Sequence, residues 1–191
     1  MRESINFLSQ VIKNPAKIGA IAPSSKGLAE LIVQEAQLQD AKVIVELGPG
    51  TGVFTRAILE AMSPESDYFA LEINRNFVET LEFTHPEATV YHDSAEAIGE
   101  YLKKHGHEKC DRIISGLPWA AFEFEQQQSL IAKIHDSLVD GGLFLTFAYF
   151  PLNHLPNGRS FYELLSGKFT SVQKTDTVSN LPPAFVYVCE K

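Results

Sequence analysis

The sequence is poor in several features, and each shortage removes a class of protein. Cysteine occurs twice, as Cys110 and Cys189, far apart and in no pairing pattern, so both are expected as reduced thiols rather than a disulfide. Positive charge is scarce: 16 Lys and Arg stand against 24 Asp and Glu, a formal net charge of −8. A broad surface for nucleic acid needs clustered Lys and Arg, so nucleic acid is not the expected partner. Apolar runs are short, and none reaches the roughly 18–20 residues that cross a bilayer. The first stretch carries Glu3, Asn6, Ser9 and Gln10, which does not suit the core of a signal peptide. A cytoplasmic protein is the expectation. No repeat, low-complexity tract or linker divides the 191 residues, which is the length of one ordinary domain with its own core. Metal-ligand spacing is missing as well. His105, His107 and Cys110 lie near one another, but around Gly106 in a polar Lys/Glu-rich stretch that reads as a solvated loop. No metal is expected, and no nucleophile stands beside a base for covalent chemistry.

What is present is an alternation of short apolar strands and amphipathic helices. Residues 4–13 read as a helix with Ile5, Leu8 and Ile12 on one side and Phe7 and Val11 beside them, ended by Asn14-Pro15. Residues 19–25 are a loop, and Ser24 or Ser25 can cap a helix over 26–36. Strands follow at 43–47, 68–73, 89–92, 112–115 and 143–149. Helices lie between and after them at 53–61, 76–83, 95–104, 126–138 and 161–165. A last pair of strands, 171–178 and 184–189, is joined as a hairpin by Ser179-Asn180-Leu181-Pro182-Pro183. This order predicts an α/β fold with a mostly parallel seven-stranded sheet, helices on both faces and one antiparallel strand at or near an edge. The chain divides into an N-terminal amphipathic helix and lid loop, 1–25, and the main domain, 26–191.

Four loops at strand ends carry candidate chemistry. The first is Glu46-Leu47-Gly48-Pro49-Gly50-Thr51-Gly52, where a strand enters a glycine-rich turn and then a helix. Its spacing is G-x-G-x-G and not the dinucleotide G-x-G-x-x-G. The carboxylate of Glu46 would repel a pyrophosphate but suits a ligand with an ammonium and a sulfonium. An ordinary glycine-rich turn is the bland alternative. The second is Glu72, 22 residues beyond Gly50 at a strand tip, where an acid can accept bonds from both hydroxyls of a ribose. Alone it could equally be a surface Glu. Ile73, next to it, joins the candidate cofactor-binding set. The third is His92-Asp93-Ser94: Asp93 can accept from an adenine amino group, or it can cap the helix that begins at Ala95. The fourth is Ser115-Gly116-Leu117-Pro118-Trp119. Strand carboxyl ends are where ligands bind in such sheets, and Pro118 removes an N–H, leaving carbonyls to face a site. Trp119 can cap a cationic amine. A structural turn with a core tryptophan is the competing reading.

The segments E-L-G-P-G-T-G at 46–52, A-L-E at 70–72, H-D-S at 92–94 and S-G-L-P-W at 115–119 resemble the class I methyltransferases. Two further stretches, 18–25 (I-G-A-I-A-P-S-S) and 180–187 (N-L-P-P-A-F-V-Y), resemble the bacterial phospholipid N-methyltransferases, which convert phosphatidylethanolamine toward phosphatidylcholine. The resemblance implies a Rossmann-like fold and S-adenosylmethionine as cofactor. It places Glu46, Gly48, Pro49, Gly50, Gly52, Glu72, Ile73, Asp93 and Ser94 around that cofactor. Ser115, Gly116, Leu117, Pro118 and Trp119 become the catalytic set, with Ser24, Ser25 and Trp119 toward the substrate.

The rRNA adenine dimethyltransferases are similar in pattern but carry N-L-P-Y where this chain has Gly116-Leu117-Pro118-Trp119. Gly116 has no side chain to hold an adenine amino group, so RNA, like a small-molecule acceptor or a non-enzymatic binding role, is the alternative reading. Carbonyls near Gly116 and Leu117 are expected to orient a neutral amine, with Ser115 as a nearby polar group for its proton. The apolar stripe within residues 1–19, with Arg2, Lys13 and Lys17, is expected to dock reversibly on the inner face of the membrane.

Overall fold

The structure, a computed structural model, describes residues 25–191. The helix expected over 4–13, most of the lid loop and Ser24 lie outside the described residues. Ser25 takes the capping role: its side chain accepts from the Leu28 N–H at 3.2 Å and starts α1, Lys26–Ala36.

From there strands and helices alternate: β1 Val43–Leu47, α2 Val53–Ala61, β2 Asp67–Glu72, α3 Arg75–Thr84, β3 Val90–His92, α4 Ile98–Lys104 and β4 Cys110–Ser115. Then come α5 Phe124–Ser137, β5 Leu138–Tyr149, α6 Pro156–Lys168, β6 Ser171–Lys174 and β7 Ala184–Glu190. The seven strands lie in the order β3-β2-β1-β4-β5-β7-β6. β1 to β5 run parallel, while β7 is antiparallel to both of its neighbours and stands one place in from the edge. The Rossmann-like class I methyltransferase architecture and its C-terminal hairpin are therefore present.

Alternation of side chains across β1 divides the core. Val43, Val45 and Leu47 face a layer with Leu102 of α4, Leu130, Ile131 and Ile134 of α5 and Phe161 of α6. Ile44 faces the other layer, with Leu28 and Ile32 of α1 and Phe54 and Ile58 of α2. Being covered on both faces explains why β1 is buried at all five positions, as central parallel strands are.

Several elements differ from expectation, among them β5, which starts at Leu138 and not at 143. α6 starts at Pro156 and not near residue 161, because proline at the first helical position is preorganised for the helix. β6 ends at Lys174, after which a bond from the Thr175 N–H to the Val186 carbonyl at 3.0 Å and a bridge between Val178 and Ala184 continue the pairing. The segment 95–104 begins as a 3-10 turn over Ala95–Ala97 before α4. The loop after α4 is also less solvated than its composition suggests. His105 Nδ1 and His107 Nε2 each lie 2.9 Å from Asp67 Oδ2, and Cys110 is buried in the core.

β1 sits between β2 and β4, and the chain crosses to opposite sides of it. A crevice outside the carboxyl ends of β1 and β4 results, at the point where strand order reverses, and that is where ligands bind in open α/β sheets.

Candidate active site

The glycine-rich turn follows β1 directly into that crevice. Gly50 has φ of 56°, a backbone conformation that L side chains avoid, and a Cβ built on it would meet nothing within 4 Å. Its backbone borders open space, as a cradle for a ligand requires. Pro49 tightens the same turn: its carbonyl accepts from the Gly52 N–H at 3.0 Å.

Glu72 closes the turn from the neighbouring strand. The Gly50 N–H donates to its Oε2 at 3.0 Å and the Asn74 N–H donates to its Oε1 at 2.8 Å. A carboxylate oxygen can accept more than once, so the two bonds orient the group and leave lone pairs for a diol. Ile73, beside it, is 73% exposed, an apolar surface that suits the face of a flat base. At the tip of β3 the Asp93 N–H donates to the Glu72 carbonyl at 3.1 Å. Ser94, and not Asp93, caps the following turn, accepting from the Glu96 N–H at 3.3 Å. Asp93 holds the Tyr101 hydroxyl at 3.1 Å on Oδ2 and the Ser94 N–H at 2.7 Å on Oδ1. It is left as the acceptor at this end of the cleft.

Glu46 lies deeper than a loop carboxylate. It is fully buried on the α1/α2 face of β1, where its Oε2 accepts from the Thr55 hydroxyl at 2.8 Å and the Tyr68 hydroxyl at 2.6 Å. Its Oε1 has no hydrogen-bond partner among the described residues. Burial pushes its carboxyl up from the usual range to about 7; the bonds from Tyr68 and Thr55 pull the other way, and the Glu72 carboxylate adds to the rise. A buried carboxylate with one unbonded oxygen is a costly arrangement that a cation relieves. The open cradle at Gly50, the oriented Glu72 and the orphaned Oε1 together fit a ligand carrying a ribose and a cationic amino acid, as S-adenosylmethionine does.

The end of β4 corrects two expectations. Ser115 is fully buried, and its hydroxyl accepts from the Leu117 N–H at 3.3 Å, so it shapes the turn and does not take a proton from a substrate. Trp119 is 4% exposed and stacks on Phe161 with ring centroids 4.9 Å apart. Its indole N–H donates to Thr146 Oγ1 at 3.0 Å, and the edges of Phe122 and Phe144 complete its surroundings. It has no open face for a cation and is a packing residue, since a buried indole needs its N–H satisfied and finds Thr146 there.

Gly116, Leu117 and exposed Pro118 remain at the crevice. A Cβ on Gly116 would stand 2.5 Å from the Gly48 carbonyl oxygen, so the two loops meet backbone to backbone. The Gly116 carbonyl accepts no hydrogen bond from the described residues, whereas the Leu117 carbonyl takes the Trp119 N–H at 3.0 Å. Gly116 is thus the acceptor open to a substrate amine.

Sequence reasoning missed Asn180. The Ser25 N–H donates to Asn180 Oδ1 at 2.8 Å, and the Ser25 hydroxyl donates to the Ser179 carbonyl at 2.9 Å. The hydroxyl proton of Ser25 is committed to this latch. The signal was available: Ser25 and Asn180 each lie in one of the two stretches that carried the lipid-enzyme resemblance, and the fold brings these two residues together. Thr55 and Tyr68, which hold Glu46, gave no signal, because nothing in sequence places a helix hydroxyl and a neighbouring-strand phenol on one carboxylate.

Comparison with known proteins follows the same division. Residues 24–114 match the profile of the family described as ribosomal RNA adenine dimethylase, a match that stops just before Ser115. Over nearly the whole length, 99% of this chain and 96% of the other, the sequence is 28% identical to an ornithine lipid N-methyltransferase of Singulisphaera acidiphila. An O-methyltransferase from Bacillus cereus, solved with S-adenosylhomocysteine, shares the fold with a TM-score of 0.74 at 16% identity, covering 96% of this chain and 90% of that one. An O-methyltransferase from Streptomyces achromogenes, solved with S-adenosylmethionine, does so with a TM-score of 0.73 at 17% identity, covering 96% and 89%. Motifs, fold and relatives agree on one reaction class, the transfer of a methyl group from S-adenosylmethionine.

Proposed function

We propose that this chain is an S-adenosylmethionine-dependent N-methyltransferase whose acceptor is the primary amine of a membrane lipid, phosphatidylethanolamine being the lipid to which the sequence motifs point. The observation that carries the choice of acceptor is Gly116. The RNA-modifying relatives place an asparagine there, and here any side chain would strike the Gly48 carbonyl. The profile of those relatives fits this chain only up to Ile114, through the cofactor half. The long match to a lipid N-methyltransferase extends through the acceptor half and supports the lipid reading.

When bound, the cofactor supplies an electrophilic methyl group on a sulfonium, transferred in a single displacement. The chain's own groups hold and orient. Glu72 and Asp93 hold the adenosine, Glu46 balances the cationic amino-acid part, and the Gly116 carbonyl accepts an N–H of the amine and so turns its lone pair toward the cleft. Residues 115–122 contain no titratable side chain, so the amine must arrive neutral and lose its extra proton after transfer to water. The basic, apolar segment 1–19 is proposed to dock the enzyme on the lipid surface.

An ornithine side chain ends in the same primary amine, and the lipid relative favours that headgroup as a second acceptor. Vesicles containing either lipid, offered separately with the cofactor, decide between them. N-methylated phosphatidylethanolamine is the product expected here; label appearing only in ornithine lipid would replace the headgroup and keep the reaction.

A further inference from the structure

Exposed large apolar side chains are unevenly placed on this molecule. Phe124, at the start of α5, and Phe150, Leu155 and Leu181, on the segments after β5 and before β7, all lie at the carboxyl end of the sheet. Ile73 is at that end too, within the cofactor cleft. Phe83, 88% exposed near the end of α3, is the exception, at the opposite end of the strands. Leu181 is 82% exposed on a loop tied down on both sides: the Phe150 N–H donates to the Pro183 carbonyl at 2.8 Å, and Asn180 holds Ser25. Fixed apolar tips around an opening are the usual sign of a surface that meets something apolar.

Charge identifies the occupant. Between Asp140 and Glu163 there is no acidic residue, only Arg159 and His154, in a chain of net charge −8. The stretch 177–189, which holds Leu181, is likewise free of acid. The segment outside the described residues, 1–24, carries Arg2, Lys13 and Lys17 against Glu3, and it joins the domain at Ser25, on the latch beside Leu181. Apolar tips at Phe150, Leu155 and Leu181, carried on two acid-free stretches of a strongly acidic chain, complement an anionic bilayer, whereas Phe124 stands between the exposed Glu123 and Glu125 and is left out.

We propose that Phe150, Leu155 and Leu181 form a second membrane-contact rim, independent of the N-terminal segment, that seats the acceptor opening on the lipid surface. The inference rests on the lipid-acceptor reading and adds to it the face that meets the bilayer. A two-chain lipid need then only lift its headgroup toward Gly116 and never leave the bilayer.

The test is partition of the full-length protein onto vesicles of phosphatidylethanolamine with anionic phosphatidylglycerol, measured by flotation. Phe150→Ser/Leu181→Ser and the single Leu181→Ser are compared with Phe83→Ser, and thermal melting checks folding of each. Burial of such side chains is worth enough for the double variant to lower partition by roughly tenfold or more, the single variant by less, with Phe83→Ser unchanged. Methylation of a short-chain phosphatidylethanolamine dispersed as monomers is measured alongside and should persist in the rim variants. Loss of that reaction in the wild type would count against the lipid reading itself. Wild-type partition retained by both rim variants, or lost equally in Phe83→Ser, overturns the rim. So does a wild-type dimer that the double variant converts to monomer, which would place a second copy on this face.

Discussion

A carboxyl group with no exposure and one unbonded oxygen, as in Glu46, ties stability to pH in a definite direction. Its folded pKa of about 7 is above the ordinary 4.5, so the folded chain holds the proton more tightly than the unfolded chain does. Without cofactor, stability should fall as pH rises from about 4.5 to about 7 and level off above, a total of about 3 kcal/mol. Glu46→Gln keeps an acceptor for Tyr68 and Thr55 and should remove that decline, visible as urea unfolding curves at low and high pH. An equal pH slope in the variant would contradict the account. The same variant removes the charge proposed to balance the cofactor. Glu72→Ala tests the other carboxylate: losing hydrogen bonds to a charged acceptor costs about 1.5–3 kcal/mol, roughly tenfold or more in affinity for S-adenosylhomocysteine by calorimetry. Unchanged affinity would remove Glu72 from the site. Both acids were legible in sequence as strand-end carboxylates. Their different depths were not, since depth follows from Tyr68 and Thr55, which the fold brings to Glu46, and from Gly50 and Asn74, which it brings to Glu72.

Among the elements, β4 and its turn show best where sequence reading succeeds and fails. The alternation of strands and helices identified every strand and the antiparallel return, because buried parallel strands and capped helices write strong local patterns. It could not say which way Trp119 points. A strand end offers one side chain to the cleft and the next to the core, and the outcome depends on Thr146, Phe144 and Phe161 from elements far along the chain. Trp119→Ala should therefore cost about 3–5 kcal/mol of stability, as large-to-small core changes do. Denaturant unfolding checks this; a variant as stable as the wild type but slow in turnover would return Trp119 to the substrate. Gly116→Ala puts a methyl group 2.5 Å from a backbone oxygen that cannot swing aside. The β1 and β4 loops must then separate, with an expected loss of about 1–3 kcal/mol in stability and of most turnover. Thermal melting and steady-state rates read both; full activity with unchanged melting would show that the loops do not depend on this contact.

For the molecule as a whole, the proposed cofactor half and the proposed acceptor half differ in what they resemble. The match to ribosomal RNA enzymes covers residues 24–114, and the match to a lipid enzyme runs through both halves. None of the described helices is long and apolar enough to cross a membrane. The proposed cofactor half was legible in the sequence because its candidate residues sit on a few strand tips. The proposed acceptor half was only partly legible, because the Ser25–Asn180 latch joins opposite ends of the chain and the exposure of Phe150, Leu155 and Leu181 is set by the fold. The most direct measurement is to incubate the full-length protein with methyl-labelled S-adenosylmethionine and equal access to a membrane lipid extract and ribosomal RNA, then follow the label. The account predicts label in an amine-bearing lipid, as N-methylated headgroup, with none in RNA; label in RNA adenine and not in lipid would contradict it.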